Sequence, residues 1–522
     1  MLPAVSVVHA LEVKAVPSSP EEVVQMKWWF KSFSAAIISI VCSFATVGCV
    51  YGLSVSYPDT MEGPTWILSF LAYAPFLFAT ILNRESLAQI YLATFPMLIW
   101  IWVIIPRNVG LSANYGAPFG VGFAFYLSIS LHIWVKASGS GQVGLPFLAR
   151  FVCFFMVTAY IVTNKYGILV SIAIQLYRSA FLLQPILIFG FGSLEAFVIS
   201  VSGLVALIAH AAVTNRSVFK SYRKNPILYL AVLLGVWISL AGIISAFKKE
   251  ITTVKVSTMG PSDLGFNDSG EHWYKYIGRK IQEKILKTGS EFVVLPETFI
   301  GGGDANTCKD IIIEYIAPFV VGHGAHVTIG CSQYTRLSSC ASSNLAFTVR
   351  PDGSITSMYG KMQPTPGEKS CTQPGYFSHE YSPVNGKKGF KFSSLICYDM
   401  DFIDPAAKSA DLGSALILNP SNDWKEVRHH FAASVIKAVE NRVAVVKAER
   451  FTDAAIIDPF GNIVALGGGK TSTSLTAEIP ISEPLKLNWF RQHFVYWLFL
   501  AGYTFLTVSD LFFLWRKRRE NI

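Results

Sequence analysis

Three short segments of this 522-residue chain carry side chains that together could do acyl-transfer chemistry. They are Leu295-Pro-Glu297-Thr298, Gly360-Lys361 and Leu395-Ile-Cys397-Tyr398-Asp399. A free thiol ionises at about pH 8.5 and attacks as the thiolate, so a nucleophilic cysteine needs a base or a nearby cation. Glu297 can take the proton from Cys397. Lys361 can stabilise the thiolate and then the oxyanion of a tetrahedral intermediate, joined by the backbone N–H of Tyr398. Glu368 follows Lys361 at a distance that lets a second carboxylate orient the lysine or a substrate amine. Tyr398 and Asp399 stand beside the thiol as further supporting residues.

Such groups need rigid elements to hold them in register. From Thr252 onwards, short β-rich runs alternate with helical stretches. Strands are expected at Glu291–Leu295, Val327–Gly330, Asn344–Val349, Phe392–Ile396, Ala415–Leu418 and Val443–Val446. Phe431–Arg442 reads as a helix and Ile456–Val464 as a hairpin around Gly461. Alternating strands and helices indicate a layered α/β domain. Each candidate follows a strand: Glu297 ends Val-Val-Leu-Pro-Glu, Cys397 ends Ser-Ser-Leu-Ile-Cys, and Lys361 follows the run Ser354–Tyr359.

The rest of the chain is a different solvent problem. It is 52% hydrophobic with a mean hydropathy of +0.43, too apolar for an ordinary soluble protein. Eight apolar runs approach bilayer length, near 33–53, 64–82, 87–106, 117–135, 147–164, 187–213, 227–247 and 493–515. The expected organisation is an N-terminal segment (1–28), a seven-span membrane bundle (29–248), a globular domain (249–490), and a last span with a basic tail (491–522). The first 28 residues show no cleavable signal peptide, so the first span would serve as an uncleaved anchor. The net charge of +9 is concentrated beside the spans, at Arg216, Lys220, Arg223 and Lys224 and at Arg516–Arg519. That distribution argues against nucleic-acid binding and sets a topology instead. An even number of spans puts both termini in the cytoplasm and the globular domain outside it. The loop at 54–63, with Asp59 and Glu62 and no basic residue, suits the opposite side.

Two membrane features leave alternatives open. Gly167–Arg178 reads as an amphipathic or re-entrant piece lying at the surface, either a lipid entrance or a helix that only packs against neighbours. Glu195 should face the bundle interior, as a functional group or as a paired structural carboxylate. The eight cysteines show neither a CxxC pair nor zinc-ligand spacing. Cys308, Cys331, Cys340 and Cys371 could pair in an oxidising compartment, leaving Cys397 free, or could all stay unpaired. Other chemistries fit poorly. Gly469-Lys470-Thr471 lacks the first glycine of a phosphate loop, since Val464 stands there. Adjacent His429 and His430 diverge on a helix and make a poor metal pair. No GxSxG elbow is present.

At these residues the chain resembles the nitrilase superfamily, and with its flanking spans it resembles the apolipoprotein N-acyltransferase family, over residues 30 to 515. FVVLPET is similar to the family's glutamate strand, YGKMQPTPGE to its lysine segment and LICYD to its nucleophile elbow. LNPSNDW, ending at Trp424, and ENR, ending at Arg442, resemble the later strand and helix. LLQPILIFGFGSLEAFVIS resembles a membrane span of the family. The resemblance implies about eight α-helical spans plus an α-β-β-α sandwich, with Glu297, Lys361 and Cys397 catalytic and Glu368 the second glutamate. Asp399 departs from the glutamate usual in the bacterial enzymes. The implied reaction moves an acyl chain from a phospholipid, through a Cys397 thioester, to the amine of a diacylglyceryl-cysteine lipoprotein. It needs no metal or dissociable cofactor. The implied setting is a monomer in a bacterial inner membrane, with the catalytic domain on the extracytoplasmic face. The alternatives are a membrane-anchored amidase or an acyltransferase with another amine acceptor.

Overall fold

The computed structural model describes residues 64–82, 143–214, 225–303, 307–334, 342–365, 378–382, 388–423, 430–467 and 474–520, apart from Phe266, Asp268, Ser269, Ser357 and Thr452, and adds isolated positions such as Glu368. The expected spans near 33–53, 87–106 and 117–135 fall essentially outside the described residues, as do Asp59, Glu62, the basic loop from Arg216 to Lys224, Cys340, Cys371, Trp424, His429 and Gly469-Lys470-Thr471.

Among the described residues, four helices are long and apolar enough to cross a membrane: α2 (Leu145–Tyr166), α3 (Phe191–Thr214), α4 (Pro226–Ala246) and α8 (Asn488–Glu520). They correspond to the expected fifth to eighth spans. The expected second span differs. Residues Pro64–Leu71 form a 3-10 turn and only Ala74–Leu82 (α1) is α-helical, so this apolar stretch is bent and short. Pro75, inside the stretch, has no N–H to give to a continuous α ladder. Polar groups within the bundle are paired. Arg150 on α2 grips Asp510 on α8 through two bonds of 2.7 and 3.0 Å. Glu195 on α3 accepts from the Tyr496 hydroxyl on α8 at 2.6 Å, and Gly192 makes room for that ring.

The globular domain begins with β1 (Thr252–Thr258), then α5 (Trp273–Thr288), β2 (Phe292–Val294), β3 (Ile300–Gly302), β4 (His326–Tyr334), β5 (Ser342–Val349) and β6 (Tyr359–Gly360). It continues through β7 (His379–Tyr381), β8 (Phe390–Ser394), α6 (Ile403–Asp411), β9 (Ser414–Ser421), α7 (Phe431–Asn441), β10 (Ala444–Glu449), β11 (Ala454–Ile457), β12 (Ile463–Gly467) and β13 (Thr476–Ile481). Two sheets result. One runs β13-β1-β2-β4-β5-β6, with β3 also paired to β4, and the other runs β12-β11-β10-β9-β8-β7. Parallel pairs at the centre, β1 with β2, β2 with β4, and β8, β9 and β10 in turn, are flanked by antiparallel strands.

Strand alternation builds the layers. Phe292 and Val294 join Val254, Val446 and Leu418 between the sheets, while Val293 faces α5 on the other side. On the second sheet, Ile417, Val445 and Ile457 face α6 and α7. This is the expected α-β-β-α sandwich. Its second helical layer is not an outer surface, however. The core containing α6 and α7 continues without a break into α2, α3 and residues 168–178.

That last segment corrects an expectation. Instead of an amphipathic piece at a surface, Gly167–Arg178 is two 3-10 turns (Ile168–Val170 and Ile172–Arg178) buried between bundle and domain. Ile168, Ile172, Ile174 and Leu176 all lie inside. Apolar residues nearly all round the turn leave no polar face for water, so burial wins.

Candidate active site

Glu297 sits just past β2, where Leu295-Pro-Glu lies across β4 at Gly330. A Cβ at 330 would fall 2.4 Å from the Pro296 carbonyl oxygen and 2.5 Å from Glu297 Cα, so only glycine allows this approach. Lys361 leaves β6, which is only two residues long; of the run Ser354–Tyr359, Ile355 makes an isolated bridge to Val349 and Tyr359 opens the strand. The Lys361 N–H still bonds the Asn344 carbonyl at 3.0 Å, which fixes its start. Its ammonium reaches Glu297 Oε1 and Glu368 Oε2, both at 2.8 Å. Asn344 donates to the same two carboxylates. Thr365 adds its N–H and hydroxyl to Glu368 at 3.0 and 3.2 Å.

Cys397 opens the short turn Cys397–Asp401 after β8 with φ +46°, a left-handed conformation rare for a residue with a Cβ. Backbone strain of this kind collects at functional turns. Asp399 accounts for much of what holds the turn. It accepts from the Ile396 N–H at 3.0 Å, the Tyr359 hydroxyl at 2.7 Å, and the N–H groups of Met362 and Gln363 at 3.0 and 2.7 Å. One buried carboxylate thus ties the cysteine turn to the lysine segment. Burial pushes Asp399 up to about 7 despite these donors. Tyr398 points away to the bundle, where its hydroxyl donates to the Tyr166 carbonyl at 2.8 Å. Gly167 packs against Asp401, and a Cβ there would lie 2.5 Å from Asp401 Cβ. The last turn of α2 therefore seats the cysteine turn.

The structure brings Glu297, Lys361, Glu368 and the Cys397–Asp399 turn together, all closed from solvent except part of Glu368. Burial would lower the Lys361 pKa, but Glu297, Cys397 and Glu368 outweigh it and hold the ammonium charged. Burial raises Glu368, but Lys361 and Asn344 prevail and its carboxyl is shifted down. Burial and Glu297 push the Cys397 thiol up to about 12, against the pull of Lys361. A resting thiol with a charged lysine beside it is chemically able to attack a carbonyl once its proton is taken.

A second set of groups was not legible as part of the site. The Cys397 thiol donates to Asp423 Oδ1 at 3.3 Å. Asp423 also bonds His430 Nδ1 at 2.6 Å and Lys447 Nζ at 2.7 Å, while Lys447 reaches Glu449 at 2.6 Å. His430 Nε2 meets Asp401 at 3.0 Å. The available signal was charge in an apolar strand. Val-Val-Lys447-Ala-Glu449 puts two ionic side chains on one buried face, which is rare without partners. Cys397, Asp423 and His430 hold their ligand atoms within 4.8 Å of one another. Both His430 nitrogens already face carboxylates and Lys447 already neutralises Asp423, so the cluster is bridged by protons and an ammonium rather than open to a cation. Cys308 and Cys331 form a disulfide on the far side of the first sheet, one of the pairings left open by the sequence.

Residues 268–483 match the carbon-nitrogen hydrolase family. Through this domain the chain is similar to enzymes of the carbon-nitrogen hydrolase, or nitrilase, superfamily. Within it, the chain resembles apolipoprotein N-acyltransferase. It is 26% identical over 175 residues to apolipoprotein N-acyltransferase 2 of Treponema pallidum, covering 28% of this chain and 31% of that one. It is also 25% identical over 223 residues to the 2-oxoglutaramate amidase of Bacillus subtilis, covering 38% of this chain and 82% of that one. The solved structure of Nit3 from Saccharomyces cerevisiae aligns with a TM-score of 0.35 at 20% identity, over 45% of this chain and 92% of that one. The chain spans only about a third of the length of the first acyltransferases it matches, 31% and 33%.

Proposed function

We propose that this protein is a membrane acyltransferase that carries a fatty acyl chain from a phospholipid, as a thioester on Cys397, to the N-terminal amine of a diacylglyceryl-cysteine lipoprotein. The observation that carries the reading is the seat of the cysteine turn on the end of α2, through Tyr398 to Tyr166 and Gly167 to Asp401. A thiol mounted on membrane helices meets lipid esters more readily than soluble amides.

Glu297 takes the Cys397 proton. The thiolate attacks the ester carbonyl, and Lys361 with the Tyr398 N–H stabilises the oxyanion. The C–O bond breaks, and the lysophospholipid alkoxide leaves with the proton held by Glu297. The acceptor amine then attacks the thioester, passes a proton to Glu297, and displaces the thiolate. Glu368 keeps Lys361 oriented through both steps. Deep burial of the sulfur protects the thioester from water between them. The Cys308–Cys331 disulfide supports an oxidising compartment, and so an extracytoplasmic domain with cytoplasmic termini.

The similarity to an amidase favours one second reading, hydrolysis by the same residues with water as acceptor. Mass spectrometry of the purified protein mixed with phospholipid and a diacylated lipopeptide separates the two. A third acyl chain on the peptide is expected, whereas free fatty acid alone points to hydrolysis. Cys397→Ser should abolish the acyl adduct that the wild type forms on Cys397. A wild-type protein that gains no acyl mass there would end the thioester mechanism.

A further inference from the structure

We propose that His430 is a positioning residue for the Cys397 thiolate: clamped between Asp401 and Asp423, it is an imidazolium that pairs with the ionised sulfur. The inference rests on the reading of Cys397 as the nucleophile and adds a group to its activation.

The geometry fixes the charge of the ring. Nδ1 lies 2.6 Å from Asp423 Oδ1 and Nε2 lies 3.0 Å from Asp401 Oδ1. A neutral imidazole donates from one nitrogen and presents a lone pair on the other. That lone pair would face a carboxylate oxygen inside a closed site. With both carboxyls ionised, only the cation satisfies both contacts, and the two carboxylates raise its pKa well above the ordinary value against the opposing effect of burial. His430 and Asp401 are both buried, and Asp401 Oδ2 has no other partner among the described residues.

Three elements converge to build this clamp. Asp401 closes the turn that Cys397 opens, Asp423 follows β9, and His430 caps α7. The charged and titratable groups facing the ring are Asp401 and Tyr398 from the turn, Asp423, and Lys447 and Glu449 from β10, with Lys361 and Glu297 across the thiol. Burial, Glu297 and Asp423 oppose a negative charge on sulfur, against the pull of Lys361. His430 offsets this. Its Nδ1–H shares Asp423 Oδ1 with the thiol proton, and a ring nitrogen lies within 4.8 Å of Sγ. When Glu297 removes the S–H proton, that acceptor loses one donor, and the imidazolium is placed to stabilise the thiolate. His430 keeps both protons, so the proton count of the reaction is unchanged.

The test is the pH dependence of Cys397 alkylation by iodoacetamide in the full-length protein, read by mass spectrometry. His430→Gln keeps a polar side chain and removes the charge. It should move the alkylation midpoint to higher pH by about one unit and slow labelling at pH 7 about tenfold, since the thiolate fraction falls tenfold per unit. An unchanged midpoint and rate overturn the inference. A measurement on the wild type decides it if that variant does not fold: the His430 ring nitrogens, 15N-labelled, should keep imidazolium shifts above pH 8. Neutral-ring shifts at pH 7.5 overturn it. Failure of the nucleophile reading looks different, because Cys397 would then gain no acyl chain whatever His430 does.

Discussion

Lys361 is held where two carboxylates make its charge stable, and removing it exposes what each partner contributes. Taking one partner from a buried ion pair costs about 3–5 kcal/mol, because the remaining charge is left without compensation. Lys361→Met should therefore lose nearly all turnover and also lower the melting temperature, with the lower end of that range expected because Glu368 keeps some solvent. Glu297→Gln is the sharper probe. Its amide carbonyl still accepts from Lys361 and Asn344 while no longer taking a proton. Turnover should vanish with little change in melting temperature. Substantial activity in that variant would remove Glu297 from the role of base. His430 adds a pH signature. Its folded pKa is raised, so its contribution to stability is full below about pH 6.5, its unfolded value, and declines as pH climbs towards the folded value. The melting-temperature gap between wild type and His430→Gln should be widest in mild acid and narrow in alkali. A gap that widens with pH would reverse the assigned charge.

At the level of elements, the end of α2 and the cysteine turn form one unit. Gly167 has φ +75° and ψ 175°, a region open essentially to glycine, and its missing Cβ is what lets Asp401 approach. Gly167→Ala should displace the turn. A misplacement of about 1 Å can cost about a hundredfold in rate, so formation of the acyl adduct should slow by at least tenfold. Gly235→Ala, in α4 with nothing near its Cβ position, is the control and should act as wild type. Equal rates in both would uncouple the helix from the turn. This coupling explains what the sequence could and could not disclose. Strands β2, β4, β5, β8, β9 and β10 were legible because short β-rich apolar runs alternate with helical stretches. Glu297, Lys361 and Cys397 were legible because each follows such a run. Asp423, His430, Lys447 and Asn344 were not, since their roles arise from contacts between elements distant along the chain. The burial of residues 168–178 was missed for the same reason: periodicity marks an apolar stretch but not whether lipid or protein covers it.

For the molecule as a whole, the question is which compartment the sandwich faces. The seam between bundle and domain is polar and specific. Glu440 on α7 accepts from the Phe191 N–H at the start of α3 at 2.6 Å, Gln492 on α8 bonds Asn441 at 2.8 Å, and Trp489 bonds Asp404 on α6 at 2.7 Å. Two helices leaving the domain from the same seam, α4 before it and α8 after it, put the domain wholly on one side of the bilayer if both cross. The Cys308–Cys331 disulfide then constrains which side, because thiols in the cytoplasm are kept reduced. The proposed topology puts the basic end of α8, Arg516–Arg519, on the opposite, cytoplasmic side. A cysteine placed at Glu380, an exposed position on β7, reads the outcome directly. In intact cells, Glu380→Cys should react with a membrane-impermeant maleimide added outside the cytoplasmic membrane, and a cysteine at Glu520 should react only after permeabilisation. The same cells should yield Cys308 and Cys331 as an oxidised pair under non-reducing digestion. Labelling of Glu380→Cys solely after permeabilisation, with both native thiols free, would place the domain in the cytoplasm and separate the proposed site from lipids of the outer leaflet.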